Sequence, residues 1–226
     1  MTHPSLSETF RSIEQELDLR MYSHEHEIVM HLYEFGSATF DEIMVRIKAS
    51  RNTTCDALRV LTAIEVARAF PDRTDRRLKR YALTPSATAR LDQGYAGMAG
   101  WFGDRQPVAD GARLHLTRMI GDLENVLGFS CFSPQYEIVS ILFEAPGLSN
   151  KAVHSMCRSS RSHFQRLLNA FVADGRVVRD AGAHDRRVST YRLGDRVSAA
   201  LNQNFRRSHQ WFEARLARDW GTGQQA

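Results

Sequence analysis

A chain of 226 residues with 42 % hydrophobic and 25 % charged side chains has the make-up of an ordinary folded protein, one large domain or two small ones. No apolar run approaches the roughly 18 residues that span a bilayer, so no membrane partner is expected. A net charge of +4 and a pI near 9.2 admit a nucleic-acid partner without demanding one.

Three cysteines, Cys55, Cys131 and Cys157, are an odd number without ligand spacing, and the first residues lack the basic-then-apolar layout of a signal peptide. A reducing, cytoplasmic location is therefore expected. In chain order, residues 6–20 carry a helical stripe of Leu6, Phe10, Ile13, Leu17 and Leu19. A second helix over 24–35 faces Ile28, Val29, Leu32 and Tyr33 inward and stops at Gly36. A third, over 40–48, follows the cap Thr39. Ser50 caps a fourth, with Cys55, Leu58, Leu61 and Ile64 inward and Arg51, Asn52, Thr53, Asp56 and Arg59 outward. Two short helices across a tight turn, the second polar and basic outside, form a helix-turn-helix pattern. Arg68-Ala69-Phe70, a charged loop over 71–79 and Arg80-Tyr81-Ala82-Leu83 then read as a hairpin. Thr84-Pro85 opens a closing helix over about 86–101.

Residues 103–110 are the plausible linker, which sets the expected domains at 1–102 and 111–226. The second repeats the first. Shifting the sequence by 110 positions aligns residues 23–95 with 133–205 without a gap, and 18 of the 73 pairs are identical. Asp75-Arg76-Arg77, Tyr81 and Leu83 recur as Asp185-Arg186-Arg187, Tyr191 and Leu193. A gapless repeat of this length is a duplicated domain rather than a solenoid unit. Its helices are expected at 111–128, 134–145, 149–157 and 160–174, then a hairpin over 177–193 and a last helix through Phe205 and Trp211 towards Trp220. Residues 221–226 read as a frayed tail.

Helix, helix-turn-helix, Asp/Arg-rich hairpin and closing helix resemble the MarR family of winged helix-turn-helix regulators. The motif that carries the resemblance is Asp72-Arg73 and Asp75-Arg76-Arg77 leading into a strand that ends Leu83-Thr84. The second copy has Gly182 in place of Asp72 and Gly194 in place of Thr84. The glycine the family usually has between recognition helix and wing is Gly175 in copy two and Glu65 in copy one. The resemblance implies a mainly α fold with small β-hairpin wings, two tandem winged helix-turn-helix domains forming an intramolecular pseudo-dimer. The outer helices would be its joining layer, with Trp101, Trp211 and Trp220 packed there. A further homodimer of chains is open.

The function the resemblance implies is sequence-specific binding of double-stranded DNA as a transcription regulator, a repressor, with response to a small aromatic effector. Arg51, Asn52, Thr53 and Arg59 of copy one, and Arg161, Ser162, His163, Gln165 and Arg166 of copy two, would face base edges. Arg73, Arg76, Arg77, Lys79, Arg186 and Arg187 would reach phosphates or the minor groove, with Asp75 and Asp185 accepting from neighbouring arginines to hold the wing tips. Unlike recognition helices imply an asymmetric operator. Phe10, His31, Tyr33, Phe129, Tyr136 and Phe143 could line an effector pocket but read better as core. Cys55 reads as core, and His24, His26 and His31 lack the partners that would complete a metal site. No cofactor is expected. No Ser/His/Asp set or phosphate loop appears, so an enzyme is not expected. Two alternatives keep the tandem fold: a protein-interaction scaffold and a replication initiator. Six basic residues against two acidic ones between Arg68 and Arg80 favour DNA over the scaffold.

Overall fold

The computed structural model describes residues 5–47, 49–102, 115–181 and 189–222. The expected linker 103–110 and the second wing tip, with Asp185, Arg186 and Arg187, lie outside the described residues. The first half runs α1 (Leu6–Leu17), α2 (His24–Phe35), β1 (Ala38–Thr39), α3 (Phe40–Arg46), α4 (Arg51–Ala63), β2 (Ala67–Pro71), β3 (Lys79–Leu83) and α5 (Pro85–Phe102). The second half repeats that order: α6 (Leu116–Leu127), α7 (Pro134–Glu144), β4 (Leu148–Ser149), α8 (Asn150–Met156), α9 (Arg161–Ala173), β5 (Val177–Ala181), β6 (Ser189–Leu193) and α10 (Asp195–Thr222). Each half holds an antiparallel three-stranded sheet, ordered β1-β3-β2 and β4-β6-β5. Ala38 pairs with Tyr81 and Leu148 with Tyr191, so the 110-residue offset survives at the level of strand register.

The boundaries follow from caps. Helix α1 ends three residues earlier than its stripe suggests, because Asp18 turns left-handed at φ 53° and caps it. Gly36 ends α2 at φ 78°, as its position predicts. Thr39 and Glu42 form a capping box at the start of α3, and the Ser50 hydroxyl accepts the Thr53 N–H, 3.2 Å away, at the start of α4. The inward stripe of α4 is Thr54, Ala57, Leu58 and Leu61. Cys55 and Ile64, expected inward, are exposed. Cys55 falls one position past the buried row, and Ile64 is the residue on which the helix ends. The two-residue strands β1 and β4 add to the expected hairpins and are too short to show alternation in the sequence.

The halves meet through their outer helices. Helix α1 packs on α5, α6 on α10, and α5 on α10. Tyr95 and Phe212 lie 5.1 Å apart across this layer and Tyr33 and Trp211 6.1 Å. The most specific feature is a reciprocal cap. Glu34, at the end of α2, accepts the N–H groups of Leu116 and Thr117 at 2.7 and 2.9 Å. Glu144, at the end of α7, accepts those of Leu6 and Ser7, and its Oε2 takes the Ser7 hydroxyl at 2.7 Å. The residues correspond one to one under the 110-residue shift, so each half caps the first helix of the other. Helix α6 depends on this most, because its own N-cap, His115, makes no capping bond to the helix backbone. Arg158 adds an ion pair to Glu14 across the same boundary. The two halves are a pseudo-dimer in one chain. Replacing Glu34 or Glu144 by alanine leaves two helix N–H groups without an acceptor and removes a charge from a helix N-terminus. Each change is expected to lower stability by about 1 kcal/mol, read as a lower thermal midpoint.

Two histidines are buried in the core, and among the described residues their rings are short of polar partners. Neither ring nitrogen of His26 has a hydrogen-bond partner, nor has Nδ1 of His31. Their rings pack against Phe132 and Phe35. Burial holds His26 down to about 4, and burial, then the Arg46 charge, does the same for His31. The unfolded chain takes up protons near pH 6.5 and the fold does not, so stability is full above that pH and falls as pH drops towards 4. For His26 the loss is on the order of 3 kcal/mol. Thermal unfolding from pH 7.5 to 4.5 should show this decline, and His26→Phe should flatten it.

Candidate nucleic-acid interface

Each half presents one helix and one hairpin away from the joining layer. In the first, α3 and α4 meet across residues 47–50, and Arg51, Asn52, Cys55, Asp56 and Arg59 of α4 are exposed. Their availability differs. The Arg51 guanidinium lies 4.7 Å from the centre of the Phe40 ring, a cation–π contact that pre-orients it. Nη1 of Arg59 donates to Asp56 at 2.8 Å in an exposed pair. The Thr53 hydroxyl lies 2.8 Å from that of Ser50 and belongs to the helix cap more than to the outer face. Asn52 is exposed and forms no hydrogen bond among the described residues.

In the second half Arg161, Ser162 and Arg166 are exposed on α9, with His163 and Gln165 half-buried. Gln165 is tied up. It accepts from Asn150 of α8 at 3.0 Å and donates to Asn169 at 2.9 Å, bracing the two helices rather than offering its amide outward. Nη2 of Arg166 lies 2.8 Å from Nδ1 of His163.

The first wing is closed by Asp72 rather than by Asp75. Asp72 is 6 % exposed, and its Oδ1 accepts the Thr74 N–H at 2.7 Å, the Thr74 hydroxyl and the Asp75 N–H at 3.1 Å. Its Oδ2 takes Nη1 of Arg80 at 3.0 Å. The Thr74 hydroxyl and the backbone donors, then Arg80, hold its carboxyl well below the usual carboxylate range. Arg80 continues inward, donating to the Ser37 carbonyl and to Glu42, both at 3.2 Å, and so fastens the hairpin to β1 and α3. Asp75, expected to hold the tip through an arginine side chain, instead accepts the backbone N–H of Arg77 at 2.9 Å. The arginine–carboxylate pairing falls to Asp72 and Arg80. Arg73, Arg76, Arg77 and Lys79 are exposed, and among the described residues no carboxylate pairs with any of them. The second wing is fastened differently, by Arg192 to Asp180 at 3.0 Å and Arg179 to Ser189 at 2.8 Å.

The two exchanged glycines explain each other. Glu65 and Gly175 both turn left-handed after their helices, at φ 57° and 75°. In copy one the Thr84 hydroxyl donates to the Glu65 carbonyl at 2.8 Å. In copy two a Cβ on Gly194 would lie 2.3 Å from the Gly175 carbonyl oxygen, so only glycine fits. Among the described residues there is no cluster of three metal-ligating side chains, and no helix is long and apolar enough to cross a membrane. Asp72→Ala should loosen the tip, seen as faster tryptic cleavage after Arg73, Arg76 or Arg77. Arg80→Ala should do the same and also free the hairpin from α3.

No family model matches the chain, and no curated protein does. Solved structures do. A MepR-like protein complexed with pseudoligands is 17 % identical over 53 % of this chain and 83 % of its own, with a TM-score of 0.35. A mutant of MarR from E. coli, complexed with operator DNA, is 15 % identical over 53 % and 83 %, TM-score 0.35. The PcaV transcriptional regulator from Streptomyces coelicolor is 28 % identical over 47 % and 82 %, TM-score 0.32. Each match takes in about half of this chain. The fold assignment stands on the chain's own topology, a helix-turn-helix followed by a three-stranded wing, present twice. The chain is a tandem of two winged helix-turn-helix units, similar to MarR-family regulators.

Proposed function

We propose that this chain is a sequence-specific DNA-binding regulator of transcription, a repressor, that reads an asymmetric operator with α4 and α9 while its wings hold the backbone. The observation that carries this reading is the pairing, in both halves, of an outward helix bearing unburied arginines with a hairpin on the same unit. In the first half the hairpin tip is fastened from within by Asp72 and Arg80, which leaves Arg73, Arg76, Arg77 and Lys79 free to meet phosphates. Arg186 and Arg187 take the same part in the second wing. Unlike side chains on α4 and α9 make the two half-sites unlike. The domains are 1–102 and 111–226 about the linker 103–110.

A small aromatic effector would sit in the cavity of about 90 Å³ between the halves, lined by Phe10, His26, Tyr95, Phe132, Tyr136 and Phe205 among others. Of the six residues considered for such a site, Phe10 and Tyr136 line it; His31, Tyr33, Phe129 and Phe143 do not. A ligand there would touch both halves and could alter the spacing of the reading helices.

Binding to duplex DNA should fall steeply with salt. Arg76→Ala/Arg77→Ala should weaken it and reduce the slope of log affinity against log salt by about two. Salt-insensitive binding, or a double variant with unchanged slope, would remove the wing from the interface. Thiol labelling gives a second reading. Cys55 is exposed on α4 and should react readily when free and slowly on DNA. Cys131 is buried, and burial pushes the Cys157 thiol up to about 12, so both should stay slow throughout.

A further inference from the structure

The outer faces of α4 and α9 differ in more than residue identity: α9 offers donors almost alone, whereas α4 adds acceptors. On α9 the guanidinium groups of Arg161 and Arg166 can only donate. Nη2 of Arg166 lies 2.8 Å from Nδ1 of His163; a guanidinium can only donate, so a neutral ring that accepts there carries its proton on Nε2 and adds a further donor. Asn169 spends its carbonyl oxygen on Gln165 at 2.9 Å and keeps its NH2. Apart from the Ser162 hydroxyl, the exposed polar groups of α9 are donors, and no carboxylate occurs anywhere in the helix. On α4 Arg51 lies over Phe40 with its N–H donors unspent, and Arg59 pairs with Asp56 in an exposed pair. What α4 has and α9 lacks is Asn52, which both donates and accepts, and the carboxylate of Asp56, whose second oxygen accepts.

We infer that Arg166, with the His163 ring it orients, makes the second half of the chain a guanine-selecting head, while Asn52 and Asp56 make the first a head for bases that offer an amino group. Guanine alone presents two adjacent acceptors, N7 and O6, in the major groove, and cytosine presents a donor that a donor-only helix meets badly. Adenine offers N6–H2 beside N7 and fits an asparagine bidentately; the cytosine N4–H2 suits a carboxylate. The operator then has one guanine-rich half and one half centred on adenine or cytosine. This rests on the DNA-binding reading above and adds which head reads which edge.

The test is selection of bound sequences from a random duplex library by the full chain, in parallel with Arg166→Gln and Asn52→Ala. Both positions are exposed, and unchanged thermal unfolding shows the fold is kept. The wild-type chain should return two unlike half-sites. Arg166→Gln should cut guanine enrichment about tenfold in one half, raise adenine there and leave the other half unaltered. Asn52→Ala should act only on the other half. Identical half-sites, no guanine preference in either, or Arg166→Gln acting on both or on neither would overturn this inference while leaving DNA binding intact. Failure to enrich any sequence, with no salt-dependent duplex binding, would overturn the DNA-binding reading itself.

Discussion

Two glutamates at the wrong ends of their helices hold this molecule together. A carboxylate in the last turn of a helix faces the negative pole of its own dipole and is unfavourable there. Glu34 and Glu144 sit in that position and become favourable only when the other half delivers the N-terminus of α6 or α1. Each half is thus electrostatically incomplete alone and completed by its counterpart. The aromatic layer of Tyr33, Tyr95, Trp211 and Phe212 supplies area, whereas the caps supply register: a slide of one residue would break both at once. That register aims α4 and α9 outward from one fixed frame.

A second physical theme is the use of buried charge to free exposed charge. Asp72 and Arg80 neutralise one another inside the first wing, so the tip keeps its shape without calling on the arginines around it. On α9, Gln165 plays a comparable part, bracing α8, while Arg166 is oriented by its hydrogen bond to His163 and meets no carboxylate within the helix. On α4, Arg51 lies over Phe40 and Arg59 pairs with the Asp56 carboxylate, a group α9 lacks. Equivalent scaffolds therefore carry unequal outer faces.

Much of the fold is legible in the sequence. Period-3.6 stripes locate the helices to within a few residues, Thr39 and Ser50 mark their starts, and the gapless repeat announces the duplication before any helix is placed. What escapes are features that depend on long-range pairing. Cys55 lies beside the buried row of α4, and a single wheel position decides its side. The strands β1 and β4 are too short to alternate. Asp72 and Asp75 look alike in sequence, and only the backbone path of the tip shows which carboxylate turns inward. Glu34 and Glu144 do leave a signal, an acidic residue recurring at a helix C-terminus in both copies, against the preference of the dipole. Gln165 leaves none, because its partner Asn150 is on another helix.

The linked exchange of Glu65 and Thr84 for Gly175 and Gly194 bears on both halves. A threonine carried into position 194 would collide with the carbonyl of residue 175, and a glycine carried into position 84 would lose the hydroxyl that steadies residue 65. A residue taken from one half is therefore a misfit at the matching place in the other, although the two sheets share one strand register.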